Sequence, residues 1–141
     1  MGLWHVLCQC EFRKVKFIFY RNGEYLMNRS ESREQAFVFL FESTFGFQTA
    51  EEIIENSKIA RKEKVSEFSR KLFENTLANK EKIDTYIETH SKDWKIDRLS
   101  RTTLSILRLA IYEILISAET PVGVAINEAV ELAKKYSTPQ E

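Results

Sequence analysis

Apolar side chains recur at helical spacing through most of the chain, from Met27 to Tyr136. They come in groups three and four residues apart, divided by polar stretches, which predicts amphipathic helices. The predicted helices cover 28–44, begin at 49 and 66, and cover 81–89, 100–117 and 121–136. No alternating strand pattern appears after Met27, so the predicted fold class is all-α, a compact bundle of about six helices.

Capping residues and apolar stripes predict where each helix begins and which face it buries. The predicted caps are Asn28 with Glu31 in a capping box, then Thr49, Ser66 and Thr120, the last followed by Pro121 in the first turn. The residues predicted to face the core are Ala36, Phe37, Leu40 and Phe41, then Ala50, Ile53 and Ile54, then Phe68, Leu72, Phe73 and Leu77, then Ile83, Tyr86 and Ile87, and finally Ile126, Ala129, Val130 and Ala133.

The segment 100–117 is the most apolar of the predicted helices. Its apolar residues cover more than half of the helix circumference and are Leu104, Leu107, Ala110, Ile111, Ile114 and Leu115. A helix that is hydrophobic on so many sides belongs in the middle of a bundle.

Residues 1–26 differ in character from the rest. The segment 15–20 is rich in strand-forming residues, and 21–24 reads Arg-Asn-Gly-Glu, a composition typical of a hairpin turn. The helical pattern begins only at Met27, which has the features of an internal start. We therefore predict that residues 1–26 are an N-terminal extension, translated leader sequence that is not part of the fold, and that 27–141 form the working domain.

Charge and cysteine content narrow the function classes. The 21 basic residues balance 21 acidic ones, so nucleic-acid binding would need a local patch. Cys8 and Cys10 are the only cysteines and, with His5 and His90, match neither a zinc site nor a disulfide scaffold. We expect no metal and a reducing, cytoplasmic compartment.

Catalytic signatures are missing from the sequence. The four glycines are scattered, so they form no phosphate-binding loop. His90 is the only histidine after Met27, and no serine lies in a nucleophile-elbow sequence. We therefore expect no catalytic residue, no cofactor and no enzymatic activity.

Three segments carry a resemblance to a known family. They are NRSESREQA at 28–36, WKIDRLS at 94–100 continuing through LRLAIYE at 107–113, and PVGVAINEAVELAKKY at 121–136. In this order they resemble the NusB family of transcription antitermination proteins, over residues 27–140. The resemblance implies two packed helical subdomains that bind single-stranded boxA-type RNA of nascent ribosomal RNA together with the ribosomal protein NusE. It further implies a place in the RNA polymerase antitermination complex, no membrane, and either a monomer or a homodimer.

The resemblance also implies site residues. Carried over onto this sequence, the RNA-binding residues are Arg29, Ser30, Arg33, Asp97, Arg98 and Arg101, and the partner-binding residues are Phe41 and Thr103. Arg29 and Arg33 are four residues apart, on one face near a helix N-terminus whose dipole favours phosphate. The alternative for each residue is a solvated, charged helix start.

Other matched residues are predicted to be structural. An arginine between two helices is more often paired than exposed, which is the role predicted for Arg108. The pairs Tyr112-Glu113 and Asn127-Glu128 are assigned the same kind of role.

The sequence departs from the family at its end. The family continues past 137–139 into a short final helix that packs on the bundle and supplies an aromatic to the RNA site, whereas this chain ends at Glu141. We expect exposed apolar surface on the central and last helices and weaker base stacking. Two other functions stay open: the RNA-binding domain of a ribosomal RNA cytosine methyltransferase, and a helical module that binds protein only.

Overall fold

Six α-helices make up most of the chain that the computed structural model describes, which comprises residues 20–21, 24–25, 27–62, 64–91 and 95–137. Their bounds are α1 Arg29–Ser43, α2 Ala50–Arg61, α3 Glu67–Ala78, α4 Lys80–His90, α5 Arg101–Ile111 and α6 Val122–Tyr136. A short 3-10 helix, Ile96–Arg98, precedes α5, and a π-helical segment, Tyr112–Ser117, extends it. The predicted all-α class is confirmed.

Local hydrogen bonds explain where the first helices begin. The Asn28 Oδ1 atom accepts from the Glu31 backbone N–H at 2.8 Å, and the Glu31 carboxylate accepts from the Asn28 N–H at 2.9 Å. Thr49 and Glu52 form the same capping box before α2. The Ser66 hydroxyl caps α3. These predicted caps are confirmed, because each depends only on residues three apart in sequence.

The predicted cap of the last helix is wrong. Pro121 is the N-cap of α6 and has no side-chain capping bond; its carbonyl accepts from the N–H groups of Val124 and Ala125. The Thr120 hydroxyl instead donates to the Glu113 carboxylate at 2.9 Å. The sequence predicts that the Thr120 hydroxyl caps α6. In the fold this hydroxyl instead hydrogen-bonds to the buried carboxylate of Glu113.

The helices form two groups, one around α1 and one around α5. α1 packs against α2 and α3, while α5 packs against α4 and α6, and contacts of α5 with α1 and α3 join the groups. α1 is buried on two sides, since Phe37 and Phe39 are both fully buried although they lie on opposite sides of the helix. The predicted stripe on α1 missed Phe39 for that reason.

Four side chains predicted to face the core are exposed instead: Tyr86, Leu115, Ile126 and Val130. α6 turns Ala125 and Leu132 inward, so its buried face is rotated away from the widest apolar stripe. The π-helical segment changes the phase of the residues after Ile111, and Leu115 consequently faces outward. Val122, Ile126 and Val130 form an exposed apolar stripe on α6.

Part of the hairpin predicted in the N-terminal segment lies within the described residues, as two short strands. Strands Tyr20–Arg21 and Glu24–Tyr25 pair antiparallel, with Arg21 opposite Glu24. Residues 1–19, which contain both cysteines and His5, lie outside the described residues.

None of the helices described is long and apolar enough to cross a membrane. Within the same residues, no group of three or more His, Cys, Asp or Glu side chains could hold a metal ion.

Replacing Thr49 with alanine removes one half of a capping box. We expect Thr49→Ala to lower the free energy of unfolding by about 1 kcal/mol, measured by urea denaturation followed by circular dichroism. Thr49→Ser keeps the hydroxyl and is the matched control. Equal stability of the alanine and serine variants would contradict the capping role.

Candidate nucleic-acid interface

The predicted site residues lie at two opposite ends of α1. α1 and α5 are antiparallel: Arg33 near the start of α1 pairs with Glu113 just after α5, and Phe45 beyond α1 meets Arg101 at the start of α5. Arg29, Ser30 and Arg33 are therefore at one end, and Asp97, Arg98 and Arg101 at the other. With 15 residues in α1, the ends are about 21 Å apart.

Arg33 is buried in an ion pair. Its Nε atom is 3.0 Å from both carboxylate oxygens of Glu113, and the two side chains are only 6% and 4% exposed. The Arg33 Nη2 atom also donates to the Thr120 hydroxyl at 3.3 Å. Arg33 and Arg29 lie on the same face of α1, but Arg29 is exposed and Arg33 is buried. Arg33 is buried because it pairs with Glu113, which is distant in sequence. We assign Arg33 a structural role in place of the predicted RNA contact.

Arg29 is exposed and stacks on an aromatic ring. Its guanidinium carbon lies 4.1 Å from the centroid of the Phe68 ring, which belongs to α3. Within the described residues, no carboxylate lies within ion-pair distance of Arg29. Its guanidinium N–H groups are therefore available to a ligand at the start of α1, where free backbone N–H groups also favour anions.

Nearby basic side chains on α3 are paired with acids of their own helix. The Lys71 ammonium is 2.7 Å from Glu67, and its hydrogen bond and charge lower the pKa of the Glu67 carboxyl. Glu67 in turn raises the pKa of Lys71, and a hydrogen bond with Glu74 raises the pKa of Arg70. These exposed pairs partly cancel each other's field, whereas Arg29, beside Phe68, has no carboxylate partner within the described residues.

Ser30 joins this end of α1 to the last helix. Its hydroxyl donates to the Glu128 carboxylate at 2.7 Å. This contact supports the structural role predicted for Glu128, whereas Asn127 is exposed. A ligand at Arg29 would therefore lie next to residues of both α1 and α6.

The opposite end of α1 holds the residues predicted to bind the partner. Arg101 lies 4.5 Å from the centroid of the Phe45 ring, which contacts Phe41 edge to face with the ring centroids 5.3 Å apart. Thr103 belongs to the cap of α5, where its N–H donates to the Ser100 hydroxyl. Asp97 and Arg98 are exposed in the preceding 3-10 helix. Arg101 is thus a neighbour of Phe41 and not of Arg29.

The structural roles predicted around α5 are confirmed. Arg108 donates two hydrogen bonds to Asp84 of α4, at 2.7 and 2.8 Å. Tyr112 and Glu113 are buried, the first against the core and the second in the pair with Arg33.

Sequence reasoning missed the two aromatic rings that lie under arginines. Phe68 was placed among core residues, and Phe45 was not singled out. Their partners are distant in sequence, so no local pattern could predict the contacts.

Known proteins resemble this chain in sequence and in fold. The model of the NusB family matches residues 30–141. This chain is 42% identical over 125 residues to the transcription antitermination protein NusB of Clostridium botulinum (strain Loch Maree / Type A3), covering 79% of this chain and 89% of that protein. The chain belongs to the NusB family.

Further NusB proteins show the same likeness. NusB of Natranaerobius thermophilus is 44% identical over 117 residues, covering 79% of this chain and 84% of that protein. A crystal structure of the antitermination factors NusB and NusE in complex with double-stranded RNA contains a similar chain with a TM-score of 0.70 and 26% identity, covering 79% of this chain and 85% of that one. The NusB fold therefore extends over the described helices of this chain.

Replacing Arg33 with methionine should destabilise this NusB-family fold. The change leaves the Glu113 carboxylate buried without its cation, and we expect unfolding to become easier by about 3–5 kcal/mol. Urea denaturation measures the loss. In Arg33→Met/Glu113→Leu, which removes both charges, most of the stability should return. A single variant as stable as the unchanged protein would show that the pair does not hold the helices together.

Proposed function

We propose that this chain is a transcription antitermination factor that binds boxA-type RNA of ribosomal RNA transcripts together with the ribosomal protein NusE. The observation that carries the proposal is the 42% identity, across 89% of the relative's length, to a transcription antitermination protein. In this proposal it acts in the cytoplasm, within the RNA polymerase antitermination complex, as a monomer or homodimer. It binds without catalysing a reaction.

The proposed RNA contacts divide between the two ends of α1. Arg29 and Ser30 bind at its start, and Asp97, Arg98 and Arg101 bind at the far end, next to the proposed partner contacts Phe41 and Thr103. An RNA strand that reaches both ends crosses about 21 Å, or roughly six nucleotides at about 3.4 Å each when stacked. In this arrangement RNA and NusE meet near Arg101, which accounts for joint binding.

The working unit in this proposal is 27–141, with 1–26 as an extension outside it. The family match begins at residue 30, close to Met27. The relatives covered over most of their length are antitermination proteins, which favours this function over the RNA-binding domain of a methyltransferase.

A titration with RNA tests the proposal. Short single-stranded boxA-type RNA is added to the purified chain at fixed salt, with and without NusE. We expect tighter binding when NusE is present and no comparable binding of a scrambled RNA. Binding of NusE with no affinity for any RNA would instead indicate a module that binds protein only.

Arg29 is the residue whose loss should weaken RNA binding most directly. Arg29→Ala removes an unpaired, charged donor, and hydrogen bonds to charged groups contribute about 1.5–3 kcal/mol, so we expect a loss of roughly tenfold or more in RNA affinity. Arg70→Ala is the matched control, because Arg70 is already paired with Glu74. Equal losses from the two variants would mean that only general charge matters.

A further inference from the structure

We infer that Phe68 is a positioning residue for RNA: it holds the Arg29 guanidinium flat, so that the outer face of that group stacks on an unpaired RNA base. The inference rests on the proposed function and adds a residue that the sequence motifs do not contain. The ligand is an unstacked nucleotide of single-stranded RNA.

Two arginines lie close to the Phe68 ring. The exposed Arg29 carbon is 4.1 Å from the ring centroid, and the buried Arg33 carbon is 5.4 Å from the same centroid. Phe68 is itself partly buried and packs against the hydrophobic core. The ion pair with Glu113 holds Arg33 in the interior of the bundle. The side of Phe68 that contacts Arg33 is therefore fixed when a ligand binds at Arg29.

Arg29 has both an edge and a face to offer. Its guanidinium has no carboxylate partner within the described residues, so its N–H edge is free for a phosphate. The guanidinium carbon lies over the Phe68 ring, and Arg29 is exposed to solvent. A guanidinium that is already held over a ring loses less conformational freedom when it binds.

This geometry suits an unpaired base better than a helix of RNA. Binding of single-stranded RNA commonly uses bases stacked on aromatic rings or guanidinium planes. In a fully paired duplex the base faces are covered by their neighbours, and only phosphates and groove edges remain. Phe68 should therefore matter for single-stranded RNA and not for duplex RNA.

Phe68→Leu tests the inference, because leucine keeps an apolar side chain but removes the flat ring. We expect about a tenfold loss of affinity for single-stranded boxA-type RNA, the size of one lost stacking contact. The Arg29 charge remains, so the slope of log affinity against log salt should stay unchanged. Affinity for NusE should also stay unchanged, and Phe68→Tyr, which restores a ring, should restore RNA affinity.

Two further variants separate stacking from folding. Arg29→Lys keeps the charge at an exposed position but removes the plane, so it should reproduce the roughly tenfold loss at an unchanged salt slope. In that background Phe68→Leu should have little further effect, since the two residues act as one unit.

Tyr86→Leu is the matched control for Phe68→Leu. It removes an exposed aromatic that stacks on His90, and it should leave RNA affinity unaltered.

Several outcomes would overturn the inference. A folded Phe68→Leu protein that binds RNA normally would do so, as would equal losses for RNA and NusE or for single-stranded and duplex RNA. If Phe68→Leu lowers stability, the Arg29→Lys measurement decides, because full RNA affinity there excludes a role for the plane. Failure of the unchanged protein to bind boxA-type RNA, with or without NusE, would overturn the proposed function and this inference together.

Discussion

Arg33 and Glu113 form a buried ion pair at the point where α1, the π-helical segment after α5, and the loop before α6 come together. A buried charge is strongly unfavourable without its partner, so Arg33 and Glu113 must remain in contact. The pair therefore fixes how the three segments meet. Thr120 hydrogen-bonds to both residues and so ties the segment just before α6 to the pair. The Phe68 ring lies above Arg33, so the surface around Arg29 depends on the same pair.

Several ion pairs among the described residues hold charges within the bundle. Arg33 with Glu113, Arg108 with Asp84, and Arg61 with Glu42 join different helices, while shorter-range pairs occupy the surface of α3. With a formal net charge of zero, little positive field remains to attract RNA over the whole surface. Recognition then has to be local, which is consistent with a single exposed arginine at the start of α1 being the centre of the candidate site.

The helix starts could be predicted from sequence because a cap such as Asn28 with Glu31 needs only neighbours along the chain. The burial of Arg33 could not, since it depends on Glu113, eighty residues away. The rotation of α6 was missed because its apolar residues cover a wider arc than the arc it buries, and Leu115 was misplaced because a π-helical segment changes helical phase. The three matched segments identified the family, whereas the site residues that they imply are still a prediction. The contact between Arg29 and Phe68 could not be predicted from the sequence, because the two residues lie on different helices.

The two arginine–aromatic contacts at the ends of α1 both depend on the number of residues in this helix. Arg29 meets a ring on α3 at one end, while Phe45, just past the other end, lies under Arg101 of α5. Each added residue advances a helix by about 1.5 Å and turns it by about 100°. One residue more or less would therefore twist one end against the other, and both contacts could not survive. α1 therefore has a fixed length and helical phase, and the number of its residues sets the register between its two ends.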